Sequence, residues 1–317
     1  CTLPFAGLAR NAFIATEILN SLVNENIISK EKSNNFLSEI KSITSEIYDD
    51  WKNLSKLLSK INHIFKYKLK KTFTLIIVND FSIQKVNLKK LRFSQIEKIR
   101  LINLHKNLGS QKALAIGLKY IFLNFKKKFK LIIIDSDGQD NPEGIIKMIN
   151  AGKRKKNYSI VANRGQRKEK LWFKICYEIY YYLIMIFSLK KIRFGNFSII
   201  LSTHVKSLLR NSDIWCALPP VISSNLKKIE YITLNREKRY SGSSKMNFFG
   251  LIFHAFRVFF VLRKKILIAS LFYIFFIFTL LNNNYQILSY FLIFIIAIFN
   301  LSIWFLAKNN KENFERN

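Results

Sequence analysis

The apolar stretch Leu131 to Ile134 is followed directly by four carboxylates and a side-chain amide: Asp135, Asp137, Gln139, Asp140 and Glu143. Carboxylates this close together repel one another unless a cation lies between them. One or two carboxylates, completed by phosphate oxygens and water, are the ligands that Mg²⁺ or Mn²⁺ prefers. A divalent ion in this segment would neutralise a diphosphate leaving group. The alternative interpretation is a solvated acidic turn that caps the next helix.

The charge of the chain is strongly positive, +32 from 52 Lys and Arg against 20 Asp and Glu. Such a balance favours anionic partners, which include lipid head groups, phosphorylated substrates and nucleic acid. Nucleic acid is the weakest of these interpretations, because the basic residues are spread along the chain and no recognition motif occurs among them. The three cysteines, Cys1, Cys176 and Cys216, form no C-x-x-C pair, so neither a disulfide framework nor a zinc site is predicted.

The region from Thr72 to Thr233 alternates short β-rich runs with helical stretches. Strands are predicted at four places: Phe73 to Val78, Ile99 to Leu104, Phe129 to Ile134 and Ser159 to Ala162. Helices fit at Ser110 to Asn124 and from Pro142 to about Ala151. The alternation is typical of a doubly wound, mostly parallel α/β sheet, in which ligands bind beyond the carboxyl ends of the strands. The acidic segment follows the third strand at such an end.

Two apolar runs lie near the C-terminus, Ile266 to Leu281 and Ile287 to Ala307. The second is long enough to cross a bilayer, and the first becomes so if its helix begins earlier, near Phe259. Basic residues flank the pair, whereas the connecting loop carries no charge. By the positive-inside rule this predicts a transmembrane hairpin with both ends in the cytoplasm. The alternative is a pair of buried core helices.

Two further segments have an apolar character that fits a membrane surface. Trp172 to Phe187 is rich in aromatic residues, and it is interpreted either as an amphipathic helix in the head-group layer or as a core helix. Asn247 to Leu262 leads directly into the first apolar run, which favours a helix that lies along the bilayer. The predicted fold is therefore α/β, followed by interfacial helices and the hairpin.

Several motif-like segments occur in a fixed order along the chain. Asn107 to Gly117 reads N-x-G-x-x-x-A-x-x-x-G, and Asp135 to Glu143 reads D-x-D-x-Q-D-x-P-E. Val161 to Arg167 reads V-x-x-R-x-x-R, a short glycine-aromatic segment follows at Gly195 to Phe197, and Arg239 to Lys245 reads R-x-x-G-x-S-K. Together they resemble the family 2 glycosyltransferases of the GT-A fold, and within that family the dolichyl- or polyprenyl-phosphate sugar synthases.

The resemblance implies a role for each matching residue of the acidic segment. Asp137 and Gln139 would help to hold a Mg²⁺ or Mn²⁺ ion, and Asp135 would contact the nucleotide-sugar or the ion. Asp140 would lie closest to the sugar. Asp140 and Asp137 are therefore the catalytic candidates.

The resemblance also implies a set of phosphate-binding residues: Arg164, Arg167, Arg239, Ser244 and Lys245. Guanidinium forks and an ammonium group are suited to phosphate oxygens. Gly242 and the serines beside it would let the backbone approach a phosphate. The alternative for each basic residue is an ordinary surface charge.

Two family motifs are altered in this chain. The family has V-D-D-G-S at the end of an early strand, where it binds the nucleobase, but Val78 to Ser82 reads V-N-D-F-S. Only Asp80 and Ser82 carry over as nucleotide-binding candidates. The P-x-Y-N-E motif of the first strand has no counterpart beyond Leu3 to Phe5, so the base and the sugar of the donor are not predicted.

The predicted organisation has five parts: a divergent helix-rich N-terminal part of the catalytic domain (1–71), a GT-A-like catalytic domain (72–245), a juxtamembrane amphipathic segment (246–265), two transmembrane helices (266–307) and a cytoplasmic tail (308–317). This order places the catalytic domain and both ends of the hairpin on the cytoplasmic side. The chain would be an integral protein of the bacterial inner membrane.

The resemblance implies an inverting, metal-dependent transfer of a sugar from a UDP- or GDP-linked donor to a polyprenyl phosphate, either undecaprenyl or dolichyl. The partners would be the donor, the acceptor and the lipid bilayer, but not nucleic acid, and a homo-oligomer is left open. The first alternative is a transferase of the same fold that acts on a lipid-linked glycan or polysaccharide. The second is a non-catalytic, basic, membrane-binding relative.

Overall fold

The structure is a computed structural model of the chain that describes residues 17–33, 43–81, 91, 93–165, 171–240, 248–281 and 285–316. The chain divides into two compact units, Cys1–Asp49 and Asp50–Asn317. In the first unit, residues 17–24 form a helix. A second helical stretch over 30–33 begins where the backbone N–H of Lys32 donates to Oγ of Ser29 (3.2 Å), a usual serine cap.

Helix α1 (Ile43–His63) continues into a π-helical turn (Ile64–Leu69). Leu57, Ile61 and Phe65 recur at a spacing of four residues, and all three are buried. Residues at this spacing lie on one face of a helix. This face of α1 and of the turn after it therefore packs on the core.

Among the described residues of the second unit, six strands form two sheets. They are β1 (Phe73–Asn79), β2 (Ile96–Asn103), β3 (Lys130–Ile133), β4 (Ser159–Arg164), β5 (Phe194–Leu201) and β6 (Ile229–Leu234). β1 and β2 pair in parallel, and the other four strands form a sheet in the order β3-β5-β4-β6. β4 and β6 are parallel, whereas β5 runs antiparallel to both of its neighbours.

Helices connect the strands and cover the larger sheet on both faces. They are α2 (Ser110–Asn124), α3 (Gly144–Arg154), α4 (Leu171–Ser188), α5 (Ser202–Leu209), a 3-10 turn (Ser212–Trp215) and α6 (Leu218–Asn225). Along β4, Ile160 and Ala162 belong to the hydrophobic cluster that includes α1 and α3, while Val161 belongs to the cluster that includes α2 and α4. This alternation is expected of a strand that is buried on both faces.

The predicted α/β class is confirmed, and the four predicted strands and two predicted helices correspond to β1 to β4 and to α2 and α3. One difference concerns strand direction, because the larger sheet is mixed rather than mostly parallel. β5 returns from α4 in the opposite direction and inserts between β3 and β4. An apolar, β-branched run indicates a strand but carries no information about its direction.

The described residues after β6 include the helices α7 (Phe248–Val261), α8 (Arg263–Leu281) and α9 (Gln286–Arg316). α8 begins at Arg263, ahead of the apolar run, and this makes the helix long enough by length and composition to cross a membrane. The same holds for Gln286–Phe305 within α9. Only 17% of each apolar window is buried inside the protein, which argues against the alternative of two buried core helices.

Polar contacts fix α8 to its neighbours. Nη1 of Arg263 donates to Oδ2 of Asp213 in the 3-10 turn (2.6 Å). Between the two long helices, Nδ2 of Asn300 donates to Oγ of Ser270 (2.9 Å), and both residues are buried. In lipid the hydrophobic effect does not drive apolar helices together, because lipid tails are as apolar as the side chains. Hydrogen bonds of this kind therefore help to hold the two helices together.

Candidate functional site

The acidic segment after β3 lies antiparallel to residues 236–240, which follow β6. Asp140 forms an isolated β-bridge with Arg236, and the backbone N–H of Tyr240 donates to the carbonyl oxygen of Asp137 (3.1 Å). An acidic and a basic segment that are distant in sequence are thereby held side by side.

The turn of the acidic segment requires glycine at position 138. Gly138 has a φ of +77°, which side chains disfavour, and a Cβ there would collide with the ring of Tyr240. Nζ of Lys56 lies 4.6 Å from the centroid of that ring, and Nζ of Lys60 lies 5.2 Å from it. The ring thus connects the acidic turn to α1.

Arg239 contacts Asp137 and Gln139, the two residues for which the family resemblance implies a metal-binding role. Its Nη2 lies 3.2 Å from Oδ2 of Asp137, and its Nε lies 3.4 Å from Oε1 of Gln139. The other carboxylate oxygen of Asp137 accepts a hydrogen bond from the backbone N–H of Gln139 (2.9 Å). The structure thus brings Arg239 together with these two residues, and its phosphate-binding role stays a prediction.

Asp135 is the most deeply placed carboxylate of the segment. Burial raises the pKa of Asp135, while a hydrogen bond from Nδ2 of Asn196 (3.3 Å) acts in the opposite direction, and the charge of Asp137 raises the pKa further. The protonated form is therefore favoured more than in an exposed aspartate.

Asp140 has a pKa that is shifted toward neutral pH. Burial raises the pKa of Asp140 to about 6, the charge of Asp135 adds to this effect, and the guanidinium groups of Arg236 and Arg164 oppose it. Nε of Arg236 lies 3.7 Å from Oδ1 of Asp140, and the two side chains are only 18% and 12% exposed. A carboxyl group of this pKa exchanges its proton near neutral pH.

Two further observations concern the arginines around these carboxylates. Nε of Arg236 is buried, and among the described residues it has no hydrogen-bond partner. The guanidinium of Arg164 lies over Gly195, where an added Cβ would be 2.7 Å from Nη2. Glycine at position 195 therefore leaves room for the arginine, which explains part of the glycine-aromatic motif.

Two side-chain amides in sequence, those of Gln111 and Asn196, are hydrogen-bonded to one another and lead to Asp135. Oδ1 of Asn196 accepts a hydrogen bond from Nε2 of Gln111 (3.2 Å), and Oε1 of Gln111 accepts one from the backbone N–H of Leu218 (2.9 Å). Because Gln111 lies in the first turn of α2, this helix and α6 both fix the orientation of Asn196. The amide of Asn196 is thus directed at the carboxylate.

Asp80 lies at the start of α2. Its Oδ1 accepts from the backbone N–H of Leu108 (2.7 Å) and its Oδ2 from that of Gly109 (2.8 Å). Oδ1 of Asn107 also accepts from Gly109 (3.2 Å). These contacts explain the N-x-G spacing, and Gln111 lies only two residues further on. The nucleotide-binding role of Asp80 stays a prediction.

The side chains of the site supply only some of the ligands that a metal ion needs. No group of three or more His, Cys, Asp or Glu side chains that could hold an ion occurs within the described ranges. Asp135 and Asp137 offer carboxylate oxygens and Gln139 an amide oxygen, so further ligands must come from elsewhere. Such a set suits a Mg²⁺ or Mn²⁺ ion that arrives with a diphosphate.

The structure brings most of the candidate residues together: Asp135, Asp137, Gln139, Asp140, Arg164 and Arg239. Asp80 is connected to them through the backbone of Leu108 and Gly109, just before α2. Four candidates lie outside the described residues: Ser82, Arg167, Ser244 and Lys245.

Sequence reasoning missed three residues that contact or support the site. Asn196 stands in the glycine-aromatic segment, which could have indicated it. Arg236 precedes Arg239 in a run of charged residues, and Gln111 lies in the N-x-G helix start. The sequence around Arg236 and Gln111 contains no signal that distinguishes these two residues from ordinary surface residues.

Two known glycosyltransferases are similar to this chain. The chain is 28% identical over 216 residues to an uncharacterized glycosyltransferase of Synechocystis sp., which covers 66% of the chain and 65% of the relative. It is 29% identical over 136 residues to the uncharacterized glycosyltransferase YkcC of Bacillus subtilis, which covers 42% of the chain and 39% of the relative. The chain therefore spans less than two thirds of the length of each.

One family model matches the part of the protein that contains β1 to β5, the acidic segment, Gln111 and Asn196. The model described as glycosyl transferase family 2 matches residues 42–218. This stretch is more than half of the 317 residues. The chain belongs to glycosyl transferase family 2.

Proposed function

We propose that this protein transfers a sugar, with inversion, from a UDP- or GDP-linked donor to a polyprenyl phosphate at the cytoplasmic face of a membrane. Family membership supports glycosyl transfer, and the exposed apolar helices α8 and α9 support a membrane-bound acceptor. The motif resemblance to polyprenyl-phosphate sugar synthases supports the choice of acceptor.

The observation that carries the proposal is the pairing of the acidic segment with residues 236–240. Arg164, Arg236 and Arg239 meet the carboxylates of the acidic segment there. Guanidinium groups bind phosphate oxygens through paired hydrogen bonds. Because Nε of Arg236 is buried and has no hydrogen-bond partner within the described part of the chain, a phosphate oxygen would satisfy it.

In this proposal a divalent ion would bind together with the diphosphate of the nucleotide-sugar. Asp137 and Gln139 would hold Mg²⁺ or Mn²⁺ together with diphosphate oxygens, and Asp135 would contact the ion or the nucleotide-sugar. The ion would supply neutralisation of the charge that develops on the leaving diphosphate. The hydrogen bonds from Asn196 to Asp135 and from Gln111 to Asn196 support this role, because they fix the orientation of the carboxylate.

The reaction would be a single displacement at the anomeric carbon. An oxygen of the lipid phosphate forms a bond to that carbon while the bond between the carbon and the diphosphate oxygen breaks, and the nucleoside diphosphate leaves with the electron pair. An ionised phosphate has no proton to lose, so no strong general base is needed. Positioning and electrostatic stabilisation by the arginines would supply most of the rate increase.

The C-terminal helices would hold the catalytic domain at an acceptor that stays in the bilayer. Arg263, Lys264 and Lys265 begin α8, and Lys308 and Lys311 follow the apolar part of α9. This distribution favours cytoplasmic ends for both helices. The buried contact between Arg263 and Asp213 would fix the catalytic domain relative to the membrane surface.

A sugar hydroxyl on a lipid-linked glycan is the second candidate acceptor. The observation that favours it is the pKa of about 6 at Asp140, because a hydroxyl must lose a proton as it attacks. In that case Asp140 would act as the general base. The two candidates differ in whether a carboxylate base is required.

The test is transfer of labelled sugar from a panel of UDP- and GDP-sugars to lipid in nanodiscs, with Mn²⁺ or Mg²⁺ and with EDTA. The proposal expects a chelator-sensitive product that carries one sugar on polyprenyl phosphate. Product that appears only with a lipid-linked glycan would select the second candidate. Binding of no nucleotide-sugar, together with the absence of any product, would reject glycosyl transfer by this chain.

A further inference from the structure

Basic residues gather at one edge of the larger sheet. β3, β4 and β6 run in the same direction, because β5 is antiparallel to β3 and β4 while β4 is parallel to β6. Their amino ends therefore lie at one edge, where Lys130 pairs with Leu201 and Ser159 pairs with Ile229. Exposed basic side chains precede or begin each of the three strands and together form the basic edge: Lys126, Lys127, Lys128 and Lys130 at β3, Lys153, Arg154, Lys155 and Lys156 at β4, and Lys227 and Lys228 at β6.

The charge of the basic edge is largely uncompensated. Nζ of Lys155 lies 2.6 Å from Oε2 of Glu230 on β6. Among the ion pairs of the described residues, this is the only one that involves a member of the basic edge. Like charges on one surface repel one another and create a positive potential that attracts anions. The basic edge therefore favours an anionic partner.

The basic edge lies on the side of the sheet away from the membrane helices. The acidic segment follows the carboxyl end of β3, at the opposite edge. Asp213, the partner of Arg263 at the start of α8, belongs to the 3-10 turn. The centroid of the Trp215 ring in the same turn is 5.4 Å from Nζ of Lys112, which lies in the first turn of α2 beside the site residue Gln111. The start of α8 is thus attached near the edge that carries the site.

The distance between the two edges weakens any attraction of the basic edge to lipid head groups. β4 crosses the sheet with six residues, so the edges are about 20 Å apart. The Debye length at physiological ionic strength is about 8 Å, and charges separated by more than twice this length are largely screened from each other. An anionic partner of the basic edge is therefore expected on the side that faces away from the bilayer.

A cavity of about 270 Å³ opens at the basic edge. Its floor is apolar and includes Met148, Ile160 and Ile199, all of which are buried. The exposed residues Lys130 and Lys156 also line it. The volume is below the range of about 300–1,000 Å³ that is typical of sites for whole small molecules, but it leaves room for one aliphatic side chain.

The combination of cations and an apolar cavity indicates the class of the partner. Nucleic acid would match the lysines but brings no flexible aliphatic group to the cavity. An acidic peptide segment with one aliphatic side chain matches both features. Its carboxylates would meet the lysines, which supplies electrostatic complementarity, while the aliphatic side chain would leave water for the apolar floor.

We propose that the basic edge and its cavity bind an acidic segment of a partner protein, which inserts one aliphatic side chain between Lys130 and Lys156. Docking at this edge leaves the opposite edge free for the substrates. The inference rests on the membrane anchoring in the proposed function for the direction in which the basic edge faces. It does not depend on the donor, the acceptor or the metal.

The test measures binding of fluorescein-labelled peptides to the full chain in nanodiscs of uncharged lipid. One peptide is a run of glutamates with a leucine at its centre, and the other has glycine in place of the leucine. An oligothymidylate of the same net charge is the third probe. The charge variant combines Lys130→Gln with Lys156→Gln. Its matched control combines Lys98→Gln with Lys119→Gln, since these two lysines are also exposed but lie outside the basic edge.

A further variant fills the cavity without a change in charge. Gly152 lines the cavity, and an added Cβ would lie 3.7 Å from Cγ1 of Ile160, which is an ordinary contact. Gly152→Met therefore places a flexible apolar side chain over the floor of the cavity. Because methionine is a better helix former than glycine, the variant should keep α3 intact.

We expect the wild-type chain to bind the leucine peptide at least about fivefold more tightly than the glycine peptide, because only leucine fills the cavity. Gly152→Met should abolish this preference. The charge variant should weaken binding of both peptides by at least about fivefold relative to its matched control. Sugar transfer by these variants should stay at the wild-type rate, since the basic edge lies away from the site.

Three outcomes would overturn the proposal. Equal binding of the two peptides by the wild-type chain, or equal losses in the two lysine variants, would mean that charge alone explains the binding. Tighter binding of the oligothymidylate than of the leucine peptide would indicate a nucleic-acid partner instead. Loss of peptide binding when the nanodiscs contain anionic lipid would show that the basic edge meets the bilayer. Each of these results leaves the sugar-transfer test unaffected, so a failure of the inference is distinguishable from a failure of the proposed function.

Discussion

The guanidinium of Arg236 lies beside the carboxylate of Asp140, with Nε 3.7 Å from Oδ1 and with the backbones of the two residues joined in a β-bridge. Both side chains are largely buried, at 18% and 12% exposure. A buried charge is costly unless an opposite charge lies near it, so each of these two groups is stabilised by the other or by a charged substrate. The pair is the point at which the acidic segment and the basic segment 236–240 meet.

Arg236→Gln should lower sugar transfer by about 10²-fold or more, because a preorganised charge near the leaving phosphate would be lost. Lys238→Gln makes the same change in charge two residues away, on an exposed side chain, and should retain wild-type kcat/KM. Steady-state kinetics of both variants would measure this difference. Equal activity of the two variants would show that Arg236 does not contact the substrate.

The local elements of this fold could be predicted, whereas the contacts between distant segments could not. β1, β3 and β4 have apolar runs, α2 has a helical pattern, and the acidic segment follows β3 as expected. The pairing of residues 236–240 with the acidic segment joins positions about a hundred residues apart, and no local pattern encodes it. Arg236 was missed for this reason, although Arg239 was found through a motif.

The stability of the protein should decrease as pH rises from about 4 to about 6 in the presence of EDTA. Burial raises the pKa of Asp140 to about 6 and also raises that of Asp135, so the folded state retains protons that the unfolded state has lost. The free energy of unfolding therefore falls with pH in this window. Asp140→Asn should make the fall shallower in denaturant titrations, and an unchanged slope would contradict the assigned shift.

Gly138→Ala should destabilise the protein more than Gly109→Ala. Both glycines have positive φ, of +77° and +87°, and Gly109 also has a ψ of 155°, so each alanine incurs a backbone cost of about 1–3 kcal/mol. Only at position 138 does the added Cβ collide with the ring of Tyr240, which adds about 1–3 kcal/mol of overpacking. Thermal unfolding of the two variants in detergent tests the order. A larger loss at position 109 would contradict the packing of Tyr240 on the acidic turn.

Asp213→Asn should lower the free energy of unfolding by about 1–3 kcal/mol, because the largely buried Arg263 loses its partner charge. The burial that raises the pKa of Asp213 offsets part of this loss. Asp213 and Arg263 are 8% and 18% exposed, and their contact is 2.6 Å long. Glu178→Gln removes the exposed pair with Arg193 (2.9 Å) and should cost less than about 1 kcal/mol. Equal losses in denaturant titrations would mean that the Asp213 contact does not anchor α8.

The two faces of α4 illustrate a second limit of sequence reasoning. Aromatic residues from Trp172 to Phe187 agree equally with a core helix and with an interfacial helix, and the sequence left both open. The structure has Tyr180 and Ile184 buried while Ile179 and Leu183 are exposed, so each interpretation describes one face. Only the position of neighbouring helices determines which side of an all-apolar helix is covered.

The most direct test of the account compares Asp137→Asn with Glu230→Gln in the transfer of labelled sugar to polyprenyl phosphate, each with and without Mn²⁺. Glu230 is a carboxylate on β6 that pairs with Lys155 (2.6 Å) and lies outside the site, so its variant should keep wild-type turnover and metal dependence. The account predicts that Asp137→Asn loses at least about 10²-fold in turnover. Wild-type turnover with wild-type metal dependence in Asp137→Asn would contradict the proposed mechanism.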